Sequence, residues 1–177
     1  MKTKTLILIA LALPFISTFW QDAQPKSSLP EHITSRQGSY TATMKFFEAP
    51  GKIAFQVTGT QTNQLICGGL WLEGDLKADM GGTKFHGRSV IGFNPKTKHC
   101  SGTWIDSMSS HLMVQSGKLD ASGKKLVLKA QVEVKGSGLK PARLETIIVD
   151  KNKYEFYMYI LGGEKDFLSM KIEYTRK

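Results

Sequence analysis

The chain has 177 residues, 41% of them hydrophobic and 22% charged, with a formal charge of +9. That is enough chain for one domain with a real core, and the composition rules out disorder as the main state. The basic excess does not point to nucleic acid. Lysines and arginines are spread thinly, in runs no longer than Lys124-Lys125, and no basic stripe or aromatic-basic ladder offers a platform for a strand.

Lys2 and Lys4 precede the uncharged run TLILIALALPFISTFW, which gives way to the polar QDAQPKSS. A basic start, an apolar middle and a polar exit are the layout of a secretory signal over residues 1–23. The run is short of the roughly 20 apolar residues that a bilayer span needs. Cleavage after Ala23 is expected, although Gln21 stands where a small residue is preferred; an uncleaved membrane anchor is the alternative. Cleavage would remove Lys2, Lys4 and Asp22 and leave a charge of +8. The product would be exported, periplasmic or extracellular, with no further membrane attachment. Residues 24–37, QPKSSLPEHITSRQ, are rich in proline, serine and polar groups and read as a linker or N-terminal arm.

From Gly38 to Lys177 the hydrophobic period is two, and this stretch is expected to form a single β domain. In YTATMKFF (40–47) and KIAFQVTGT (52–60) the alternation is broken by the turn APG. Further strands are predicted over 64–74, 83–93, 97–107, 111–119, 124–135, 142–149, 153–161 and 166–176. Gly81-Gly82, NPKTK, DASGK, GSGLKP, DKNK and GGEKD separate them. KKLVLKAQVEVK is the clearest: Leu126, Leu128, Ala130, Val132 and Val134 share one face, and mostly charged or polar residues take the other. Ten short antiparallel strands in hairpin order favour an all-β up-and-down meander closed into a barrel, because closure removes exposed sheet edges. Gly68-Gly69 reads as a bend within a strand. Cys67, on the third strand, and Cys100, on the fifth, are expected to be free and partly buried thiols. Two inter-strand steps span about 9.6 Å, beyond the roughly 7 Å limit for bridged Cα atoms.

The run GFNPKTKHCSGTWIDSM (92–108) resembles a bacterial family, domain-of-unknown-function family 1579. ICGGLWLEGD (66–75) is similar to its Gly-Gly strand, and YEFYMYILGGEKDFLSMKIEYTRK (154–177) to its closing hairpin. The resemblance implies a lipocalin-like barrel, a fold that often encloses a small apolar ligand. Phe93 and Asn94 stand where that pattern has tyrosine and aspartate, and Cys100 where it has a bulky aromatic, which implies a roomier interior. Haem-binding relatives of such barrels use a late histidine; none follows His111.

Strand alternation puts Cys100, Gly102, Trp104 and Asp106 on one face. Trp104 beside Gly102 either fills a barrel interior or walls a ligand cavity. An inward Asp106 needs partners, because an isolated buried carboxylate is costly. Backbone amides at a strand end would serve, as would Arg88, Arg143 or Arg176 orienting a polar head group, or Glu155 as a second carboxylate in acid–base chemistry. The candidate ligand-binding residues are Trp104, Asp106, Cys100, Arg143, Tyr157 and Arg176. His32, His86, His99 and His111 have no metal-ligand spacing, and no nucleophile elbow or phosphate loop is present. No cofactor or metal is therefore implied. The first functional expectation is an exported barrel binding a small apolar or amphipathic molecule. The alternatives are an enzyme using Asp106 with an arginine or Glu155, or a protein-interaction module.

Overall fold

The computed structural model describes residues 29–134 and 136–177; the signal segment lies outside them. Ten antiparallel strands follow one another: β1 (Gly38–Ala49), β2 (Lys52–Ile66), β3 (Trp71–Asp79), β4 (Lys84–Asn94) and β5 (His99–Asp106), then β6 (Ser109–Leu119), β7 (Lys125–Val134), β8 (Gly138–Asp150), β9 (Lys153–Ile160) and β10 (Phe167–Arg176). Each pairs with its sequence neighbours, and β1 pairs with β10 to close the barrel. The closing register runs from Tyr40 opposite Arg176 to Phe46 opposite Met170.

Burial follows the two-residue period. Along β7, Leu126, Leu128, Ala130 and Val132 are buried while the residues between them are more exposed. One interior cluster gathers Leu72, Ile91, Cys100, Leu126, Leu128 and Leu144. The other gathers Tyr40, Met44, Leu76, Tyr154, Ile172 and Tyr174. Phe156 packs against both.

Two segments differ from the sequence expectation. The predicted strand over 64–74 is the end of β2, a turn, and the start of β3. Cys67, Gly68 and Gly69 take φ values of 51°, 67° and 83°, a left-handed run that ends pairing and that glycine tolerates without strain. Both thiols are free, but neither is partly buried as expected: Cys67 is exposed because it sits in this turn, outside any strand, and Cys100 is wholly buried.

The second difference concerns residues 29–37, expected to form part of a loose arm. A single helical turn, α1 (Glu31–Thr34), packs with Ile33 fully buried into the end of the barrel where β1 begins and β10 finishes. Three strands bolt it down. The His32 ring meets the Thr146 carbonyl at 3.1 Å, and Asn63 Nδ2 donates to the Arg36 carbonyl at 2.8 Å. Arg176 donates to the Gln37 and Ser35 carbonyls at 2.7 and 2.8 Å. The burial of Ile33 and these bonds oppose the conformational entropy lost on ordering the segment.

The β6–β7 ladder is incomplete. Its register runs only from Gln115–Ala130 to Leu119–Leu126. Beyond it side chains bridge the strands, Ser109 Oγ to Glu133 at 2.6 Å and the His111 ring to the Gln131 carbonyl at 3.1 Å. Backbone amides outside a ladder open to solvent more readily. Amide hydrogen exchange, followed by mass spectrometry, is therefore expected to be faster over residues 109–114 than over 115–119. Equal protection along β6 would contradict this.

Candidate functional site

Several apolar side chains that face the barrel interior remain partly exposed. Phe85 on β4, Trp104 on β5, Met113 on β6, Phe156 and Met158 on β9 and Met170 on β10 face the interior clusters, yet each stays partly exposed. Trp104 lies near the rim. Its Nε1 donates to Asp106 at 2.8 Å, and its ring stacks near Phe85 with centroids 6.3 Å apart. The indole occupies the space over Gly87, where an added Cβ would stand 2.3 Å from the ring. The glycine that seats the ring is thus on the neighbouring strand. Gly102, expected to make that space, instead lies against backbone, its Cβ position 2.5 Å from the Val90 carbonyl.

Asp106 spends its acceptors locally. Besides the indole, it accepts from the Met108 and Ser109 amides at 2.8 and 3.1 Å. These bonds hold the β5–β6 turn and fix the ring. An arginine partner for Asp106 is corrected by this geometry, since indole and amides occupy the carboxylate. Cys100 faces inward and is wholly buried. Burial raises its thiol pKa, and the nearby Arg36 charge opposes the rise.

The remaining expected site residues do not join them. Arg143 lies on the outer face of β8, bonded to Glu145 and Asp166 and stacked over Tyr159. Tyr157 is on the outer face of β9, donating to Glu155, with Lys171 over its ring. The reason is parity. Arg143 falls between inward Ala142 and Leu144, and Tyr157 between Phe156 and Met158. Glu155 is likewise outside, so it and Asp106 stand on opposite faces of the wall and form no acid–base pair. Arg88 pairs with Glu73 and Asp75 on the outer surface. Arg176 sits at the plugged end, over the Tyr40 ring and bonded to the segment that carries α1.

A feature the sequence reading missed lies inside the plug. Arg36, assigned to the arm, sends its guanidinium into the barrel toward Tyr154, 5.9 Å from that ring's centroid. Nε donates to the His32 carbonyl at 3.1 Å, while Nη2 is inaccessible and has no partner among the described residues. Around it run Gln61 Nε2 to Asn63 at 2.7 Å and Asn63 Nδ2 to the Tyr154 hydroxyl at 3.0 Å. Burial lowers the Arg36 pKa and raises those of Tyr154 and Tyr174. The tyrosines stay neutral at physiological pH, and arginine keeps its charge. A lone arginine before a predicted strand carries no motif, so nothing local could have flagged it.

The outer surface has its own grooves. One of about 420 Å³ is lined by Thr41, Thr58, Thr60, Lys77, Asp79 and Lys84 among others. A second, of about 240 Å³, holds Glu73, Asp75, Lys77 and Arg88, which pair with one another. Among the described residues no group of histidine, cysteine and carboxylate side chains is arranged to hold a metal.

The family described as proteins of unknown function (DUF1579) matches residues 29–176. No curated protein matches the chain. Among solved structures, a redesigned β-barrel is similar at 9% identity and a TM-score of 0.49, covering 85% of this chain and 99% of its own.

His32 gives the plug a pH dependence. Burial, reinforced by the Arg36 charge, lowers its pKa from 6.5 to about 4. In the unfolded chain it titrates near 6.5, so on acidification the unfolded state takes up the proton first. Stability is therefore complete above about pH 6.5 and falls as pH approaches 4, by up to about 3 kcal/mol from this group. Denaturant melts between pH 7 and 4 measure the slope, and His32→Gln should flatten it across that window.

Proposed function

This chain belongs to the DUF1579 family, and from its geometry we propose that it is an exported barrel that holds a small apolar or amphipathic molecule in its interior. The observation that carries the reading is the incomplete burial of Phe85, Trp104, Met113, Phe156, Met158 and Met170, which face the interior clusters. Apolar side chains left partly exposed to water gain by taking up an apolar ligand, at roughly 25 cal/mol per Å² removed from water. Trp104 supplies a flat wall held by Asp106 and seated on Gly87, and such preorganisation lowers the cost of binding. The enzyme alternative loses its second carboxylate, because Glu155 is outside and bonded to Tyr157 and Lys171.

Titration with 1-decanol tests the reading. Saturable heat in calorimetry and a saturable change in tryptophan fluorescence are expected, with Trp104→Phe removing most of the optical change. Neither signal appearing would overturn it. Export rests on residues 1–23 and has its own check. N-terminal sequencing of secreted material should begin near Gln24, and an intact Met1 in the membrane fraction would favour the anchor.

A further inference from the structure

We infer that the ligand carries an anionic head group, a carboxylate or comparable oxyanion, and that Arg36 inside the plugged end of the barrel receives it. This deepens the proposed function and rests on it.

Arg36 Nη2 is a charged donor, inaccessible to solvent and without a hydrogen-bond partner among the described residues. The groups that act on its charge most strongly are Tyr154, Tyr174, Cys100 and Tyr40; none is a carboxylate. Among the described residues, the inward faces of the strands bring no carboxylate to it. Glu145, Glu155 and Glu173 belong to the outer wall, paired with Lys125, Lys171 and Lys45. Asp106 is at the opposite rim with its oxygens committed. A buried ion without a counter-ion is among the costliest arrangements a fold can hold. This one is held deliberately: Nε is fixed to the His32 carbonyl, and the Arg36 carbonyl is itself held by Asn63.

The surroundings suit an oxyanion. A guanidinium presents a planar fork matched to a carboxylate, and a charge-assisted bond in a dry interior is among the strongest. The Asn63–Tyr154 pair stands beside it with hydrogen-bonding capacity on a phenol. The interior cluster around Tyr154 is mostly apolar, through Met44, Leu76, Phe156 and Met170, with Gln61, Asn63 and Ser89 as the polar side chains beside Gly74. One charged end and an apolar remainder describe an acyl-chain acid rather than a plain hydrocarbon or a cationic amphiphile. His32 Nδ1, the other unpartnered buried atom, is an acceptor when Nε2–H donates to Thr146.

The experiment compares three probes with the same decyl chain, decanoate, 1-decanol and decyltrimethylammonium, by calorimetric titration of the full chain. Roughly 1 M salt screens exposed charges beyond about 3 Å and removes general attraction to the basic surface. Decanoate is expected to bind at least tenfold more tightly than 1-decanol, about 1.4 kcal/mol, and decyltrimethylammonium more weakly than either. Arg36→Gln should erase the preference by weakening decanoate, leaving 1-decanol within twofold; retained 1-decanol binding also reports that the variant is folded. Arg36→Lys should keep most of the preference. Equal binding of decanoate and 1-decanol by the unaltered chain, or an undiminished preference in Arg36→Gln, would overturn the role of Arg36 while leaving interior binding standing. It would mean that the guanidinium is solvated by interior water only. Binding of none of the three would overturn the ligand reading itself. Should Arg36→Gln fail to fold, the comparison in the unaltered chain and Arg36→Lys decides the matter.

Discussion

Closure of the sheet along β1 and β10 is the constraint from which the other features follow. Once Tyr40 is opposite Arg176 and Phe46 opposite Met170, every strand has two neighbours and the wall divides side chains into an inside and an outside. Closure also returns the C-terminal Arg176 to the residues just ahead of β1, where it holds the Ser35 and Gln37 carbonyls. The plug is thus tied down by the last strand of the barrel that it closes. Tyr40, Tyr154 and Tyr174, from β1, β9 and β10, come together only because of that seam. They form one T-shaped pair and one stacked pair with centroids 5.0 and 4.2 Å apart.

The two faces of the wall spend their charges differently. Outside, Lys45, Lys153, Lys171, Glu155 and Glu173 form a connected belt, and such partly exposed pairs typically contribute from nothing to about 1 kcal/mol each. Their main effect is solubility and the suppression of wrong pairings. Inside, the Arg36 guanidinium is kept among polar neighbours that are neutral. The stability of the domain rests on its apolar clusters, and the interior charge is a standing cost borne at one end. Polar groups that contradict the packing around them concentrate at functional positions, and here the contradiction falls on Arg36 and His32.

Much of the architecture was legible because one face of most strands is apolar and the other polar. KKLVLKAQVEVK could be read residue by residue, and the turns at residues 50–51, 81–82 and 95–98 carry glycine or proline. Where both faces carry similar residues, the parity was lost. YEFYMYI has aromatic rings on each side, so Tyr157 could not be told from an inward residue, yet pairing sends it outward beside Glu155. Gly68-Gly69 was ambiguous for a related reason. Apolar residues continue on both sides of it, and only the left-handed backbone at Cys67, Gly68 and Gly69 separates β2 from β3.

The sequence by itself determined the antiparallel meander, its ten strands and the inward face of Cys100 and Trp104, because alternation and turn chemistry are local properties of the chain. Tertiary structure alone decided that Arg143 and Tyr157 face outward, that Gly87 rather than Gly102 seats the indole, and that Asp106 serves the indole and two amides instead of an arginine. It also turned a polar stretch resembling a linker into the plug that carries a charge into the interior. Arg36 meets Asn63, Tyr154 and Tyr174 across separations that no local pattern encodes. Its burial is a property of the closed barrel, since nothing in residues 29–37 alone could remove a guanidinium from water.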